Sequence, residues 1–140
     1  VKDRSGEATT LNNIGQVYRE IGQPQKALDF FNQALPIRQE VKDRSGEAGT
    51  LNNIGQVYSE IGQPQKALDV FNQALPIERE VKNRSGEATT LSNITHLEHK
   101  DGMQSVLKLG AALRAAQLEM WHNQHYAPPY YWAAFTLQGE

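Results

Sequence analysis

The stretch LNNIGQVYREIGQPQKALDFFNQAL, Leu11 to Leu35, decides the fold. Leu11, Ile14, Tyr18 and Ile21 recur three and four residues apart, and after a break Ala27, Leu28, Phe31, Ala34 and Leu35 do so again. That spacing gathers apolar side chains on one face of an α-helix. The break is Gly22-Gln23-Pro24. Glycine can take the left-handed conformation that ends a helix, and proline suits the first position of the next. Two helices joined by a tight turn make a helical hairpin.

The hairpin is copied. Residues 1–40 and 41–80 differ at five positions: Thr9/Gly49, Arg19/Ser59, Phe30/Val70, Arg38/Glu78 and Gln39/Arg79. A third copy, VKNRSGEATTLSNIT, starts at Val81 and dissolves after Thr95. A repeat period in this range implies a solenoid of stacked hairpins. Ser45-Gly46-Glu47 and Ser85-Gly86-Glu87 suggest serine N-caps with a carboxylate in the first turn. Pro36 and Pro76 fall inside the second helix of each hairpin. Each removes a backbone hydrogen bond, so a bend there, or an early end to the helix, is expected.

The Leu11–Leu35 run resembles the tetratricopeptide repeat (TPR), in its longer kinesin-light-chain-like form. Gly15 and Ala27 stand where the helices approach closely, Tyr18 and Phe31 fill the space around them, and Ala34 admits the next repeat. The proline of the shorter repeat type is absent, with Gln39 and Arg79 near its place. The resemblance implies an all-α right-handed superhelix whose first helices line a concave groove for an extended peptide or partner protein. Carried over by position, the groove candidates are Thr9, Asn12, Asn13, Gln16 and Arg19, then Asn52, Asn53, Gln56 and Ser59, then Ser92, Asn93 and His96. Asparagine amides both donate and accept, so they can pair with a peptide backbone whatever its side chains. The alternative is that Asn13, Asn53 and Asn93 bridge adjacent repeats while the other polar groups are solvated.

After Glu98 the pattern changes. In GMQSVLKLGAALRAAQLEMWHNQHY, residues 102–126, Val106, Leu109, Leu113, Ala116 and Met120 read as an amphipathic helix at 103–122. Such a helix could replace the missing half of the third hairpin and cap the array. Ala127-Pro128-Pro129 ends it, and 130–137 is a short aromatic, strand-like segment. GMQSVLKLGAALRAAQLEMW and PYYWAAFTLQGE together resemble the extreme C-terminus of the CHAT domain, a caspase-like domain associated with TPR arrays in bacteria. The expected organisation is a TPR array over 1–98, with hairpins at about 5–40 and 45–80 and a partial repeat at 85–98, followed by a CHAT remnant over 99–140. A lone strand is marginal without partners.

Composition narrows the function. Fourteen Lys and Arg against sixteen Asp and Glu leave a formal charge of -2, which gives no field to attract nucleic acid or an anionic membrane. No apolar run is long enough to span a bilayer, and a cytoplasmic protein is expected. There is no cysteine, so the nucleophile of a CHAT-type protease has no counterpart here and the chain reads as non-catalytic. No cofactor is implied. His96 with His99, and His122 with His125, are spaced like paired ligands, but zinc sites usually take three or four protein ligands, and the four histidines read as surface residues. The start at Val1, inside the repeat pattern, reads as a fragment of a longer product. The expected function is a scaffold that binds a peptide or protein, including a CHAT-type domain or a second copy. The alternative is an inactive remnant of a TPR-CHAT protease.

Overall fold

A computed structural model describes residues 3–123, in which five α-helices occur: α1 (Arg4–Glu20), α2 (Pro24–Glu40), α3 (Arg44–Glu60), α4 (Pro64–Glu80) and α5 (Arg84–Asn123). The segment at 130–137, expected to be strand-like, lies outside the described residues. The chain divides into two compact units, residues 1–101 and residues 102–140.

In the first unit α1 packs on α2, α3 on α4, and α2 on α3. The turns explain this. Gly22 and Gly62 take φ of 74°, and Gln23 N–H reaches back to the Tyr18 carbonyl at 2.8 Å while Gly22 N–H reaches that of Arg19 at 3.0 Å. This is the Schellman closure of a helix end. The turn between hairpins closes identically, with Asp43 N–H to Arg38 O at 2.9 Å and Lys42 N–H to Gln39 O at 3.1 Å. Its left-handed residues are Lys42 and Lys82, at φ of 56° and 57°, positions that no glycine announces in the sequence.

The expected serine caps are corrected. Asp3 and Asp43 are the N-caps, accepting from Gly6 N–H and Gly46 N–H, both at 2.9 Å. Asn83 accepts similarly from Gly86 N–H at 3.1 Å. The aspartate precedes the helix and its carboxylate reaches the orphan donors first, leaving Ser45 within the first turn. The early ending considered at the prolines is also overturned. Both second helices run through Pro36 and Pro76 to Glu40 and Glu80.

The core is periodic. Ala27, Leu28 and Phe31 of α2 meet Ile54 and Val57 of α3. Ala48 and Leu51 meet Ala74 and Ile77. Ala67 and Phe71 meet Ile94 and Leu97 of α5. A methyl group built on Gly55 would lie 2.6 Å from Phe71 Cε1, and one on Gly15 would lie 2.6 Å from Phe31 Cε1. These glycines let the ring of the second helix lie against the first.

The helix expected at 103–122 is present as the latter part of α5. Gly102 occupies the place of Gly22 and Gly62 in the repeat, but Gln104 stands where they are followed by Pro24 and Pro64, and Gly102 is helical. Without the proline, no fixed φ marks the start of a second helix. Within the second unit Val106, Leu109, Leu113 and Met120 are all exposed, Val106 by 71%.

Candidate functional site

The polar faces of α1, α3 and the start of α5 are tied together. Asn53 Nδ2 donates to Asn12 Oδ1 at 3.0 Å, and Thr50 Oγ1 also turns toward that oxygen at 3.4 Å. One repeat on, Thr90 Oγ1 donates to Asn52 Oδ1 at 2.8 Å. Asn52 Nδ2 in turn donates to Glu78 Oε1 at 2.6 Å. Each asparagine satisfies a buried or half-buried neighbour, so the ladder fixes the register between hairpins.

The ends of α2 and α4 close the floor of the same region, with opposite charge. Arg38 forms an ion pair with Asp43 and donates through Nη2 to Thr9 Oγ1 at 3.0 Å. Glu78, its counterpart forty residues on, is 1% exposed. Its Oε2 has no hydrogen-bond partner, and neither do Arg38 Nε and Asn93 Nδ2.

These elements enclose a cleft of about 470 Å³. Asn12 and Gln16 come from α1, Gly49, Asn52 and Asn53 from α3, and Arg38, Glu78 and Asn83 from the helix ends below. The wall is polar apart from backbone and glycine. Amides, hydroxyls and two charged groups can exchange hydrogen bonds with an extended chain, while the described residues offer no group of three His, Cys, Asp or Glu side chains to hold a metal ion.

The sequence candidates divide into groups. Asn12, Gln16, Asn52 and Asn53 line the cleft, and Thr9 touches it through Arg38. Arg19, Gln56 and Ser59 stand apart. Arg19 Nη1 donates to Gln56 Oε1 at 2.6 Å and its Nε lies 3.4 Å from Glu60. Asn13, Ser92 and His96 are exposed, and Asn93 is half-buried. Positional reading of the first helices missed Arg38, Gly49, Glu78 and Asn83. A signal was present, because Thr9/Gly49 and Arg38/Glu78 are two of the five positions at which the copies differ.

The tetratricopeptide repeat family model matches residues 6–80, more than half of the chain. The chain belongs to the tetratricopeptide repeat family. A CHAT domain model matches residues 73–140, taking in the end of α4 and all of α5. No curated protein matches the chain. Among solved structures, this TPR array is similar to the TPR domain of Arabidopsis FLU, with a TM-score of 0.67 and 20% identity over 84% of this chain and 98% of that one. It is similar to BtubC (BKLC) from P. vanneervenii, with a TM-score of 0.64 and 19% identity over 87% of this chain and 50% of that one. The kinesin light chain nearly identical TPR-like repeats of Podosopora anserina give 0.58 and 16%, over 86% and 60%. At these identities the likeness is one of fold. No helix among the described residues is long and apolar enough to cross a membrane.

Proposed function

We propose that this TPR array is a non-catalytic interaction scaffold, active in the cytoplasm, whose cleft receives an extended peptide or a segment of a partner protein. The observation that carries the reading is the cleft itself, about 470 Å³ with a polar lining contributed by every helix of the repeat unit. An extended ligand brings unsatisfied backbone amides and carbonyls, and Gln16 and the serines and asparagines of the cleft can both donate and accept. Asn12, Gln16, Asn52 and Asn53 are the contact residues in this reading, with Thr9 at the edge. The outer candidates Asn13, Arg19, Gln56, Ser59, Ser92, Asn93 and His96 extend the surface along the first helices.

Fluorescence anisotropy with labelled extended peptides of acidic, basic and apolar composition tests the proposal. Saturable binding of at least one class is expected. No binding by any class at millimolar protein would overturn it.

A second reading, an inactive remnant of a TPR-CHAT protease, draws support from the CHAT match over 73–140 together with the absence of cysteine. In that reading the array over 1–98 and the tail over 99–140 are what is left around a lost catalytic core.

A further inference from the structure

We propose that the cleft takes the side chain of a lysine or arginine from a bound peptide, with Glu78 as its counter-charge and Gly49 leaving room for its stem. This rests on the cleft being a peptide site. Glu78 carries the argument. It lines the cleft, is 1% exposed, and has one side-chain partner, Asn52, on Oε1, while Oε2 has none. A carboxylate withdrawn from water is costly unless a cation and further donors meet it.

The first repeat shows how the same place is satisfied from within. There Arg38 pairs with Asp43 and donates to Thr9. Forty residues on, all three positions change: Glu78 and Gly49 in the second copy, and Asn83 at the start of the third. Replacing aspartate by Asn83 removes the like charge that Glu78 would otherwise face. Glu78 Oε1 and Asn83 Nδ2 both crowd the space beside Gly86, at 2.7 Å and 2.3 Å from a methyl built there. Replacing threonine by Gly49 leaves open space, with no atom within 4 Å of a methyl placed on it. Two of the five differences between the hairpins, Thr9/Gly49 and Arg38/Glu78, therefore fall at the cleft. Of the two charged groups in the lining, Arg38 is already paired with Asp43, which leaves Glu78 as the one without an ion-pair partner. One carboxylate without an ion-pair partner suits a monovalent ammonium or guanidinium rather than a divalent metal, which takes several carboxylates. Charge-assisted hydrogen bonds in such a setting are roughly twice as strong as neutral ones.

The test uses the full chain, nitrogen-15 labelled, and nonapeptides identical except for a central Lys, Arg, norleucine or Glu. A Lys or Arg peptide is expected to bind about tenfold or more tightly than the norleucine peptide and to shift the Gly49 and Gly86 amide signals. Glu78→Gln should abolish that preference while the thermal melt is retained. The double variant E78R/N83D, which rebuilds the pair of the first repeat, should abolish it too. Equal binding of the Lys and norleucine peptides, or a preference that survives E78Q, would overturn the inference and leave the groove intact as a peptide site. Failure of every peptide to bind would remove the groove reading and this inference with it.

Discussion

At the residue scale, two glycines of α3 behave in opposite ways. Gly55 faces the Phe71 ring, which is 1% exposed and has nowhere to retreat. Gly49 faces open space. Gly55→Ala should lower unfolding stability by about 1–3 kcal/mol through overpacking, and Gly49→Ala should raise it by about 0.5–1 kcal/mol through helix propensity. Urea denaturation of the two variants checks this, and equal signs would contradict the packing described. The contrast was half legible in the sequence. The close approach at Gly15 and Gly55 followed from the small-residue pattern beside Phe31 and Phe71. The left-handed Lys42 and Lys82 did not, because the closure of the helix end demands that conformation there and lysine, unlike glycine, does not announce it.

At the scale of elements, each hairpin is tied at its open end by charge. Arg4 Nη2 lies 2.9 Å from Glu40 and Arg44 Nη2 lies 2.9 Å from Glu80. Hydrogen bonds from Arg4 hold the Glu40 carboxyl below its ordinary range, and those from Arg44 do the same for Glu80. A carboxylate whose folded pKa is depressed stabilises the fold above its unfolded pKa, and the contribution is lost as pH falls through the folded value. The melting temperature should therefore hold from neutral pH down and decline below about pH 4. The double variant E40Q/E80Q should start lower at neutral pH and lose less on acidification. Both pairs are exposed, so high salt should shrink the difference. A decline as steep in the double variant as in the parent would contradict this origin.

The helices themselves were legible from the spacing of apolar residues and from Gly22-Gln23-Pro24. Their starts are less legible: Ser45 has the residue type of a cap, but Asp43 lies two residues earlier and its carboxylate accepts from Gly46 N–H. Continuity through Pro36 and Pro76 was also hidden. Ala34, Ile37, Ala74 and Ile77 around them are buried, and that burial offsets the lost hydrogen bond.

For the whole molecule, the exposure of equivalent residues separates what the repeats bury from what they leave open. Val57 is 0% exposed beneath α2, whereas Val17, its counterpart in α1, is 55% exposed. The three buried clusters lie between Ala27 and Leu97. A chain stopped at Lys100 should keep a cooperative melt at 222 nm within a few degrees of the full chain. Loss of cooperativity would contradict the placement of the core. The cleft was less legible than the fold, because its floor is made by helix ends brought together only on stacking. Asn12, Gln16, Asn52 and Asn53 could be picked from the first helices, whereas Glu78 and Gly49 become meaningful only when two hairpins meet.

The central claim is that the cleft is the binding surface. Gly49→Trp places an indole in the open space there, and Val17→Ser alters an exposed residue outside the cleft lining. The decisive measurement is peptide anisotropy with both variants, after circular dichroism has shown that each melts cooperatively and no lower than the parent. The account predicts that G49W loses tenfold or more in affinity while V17S binds as the parent does. Undiminished binding by G49W would contradict it.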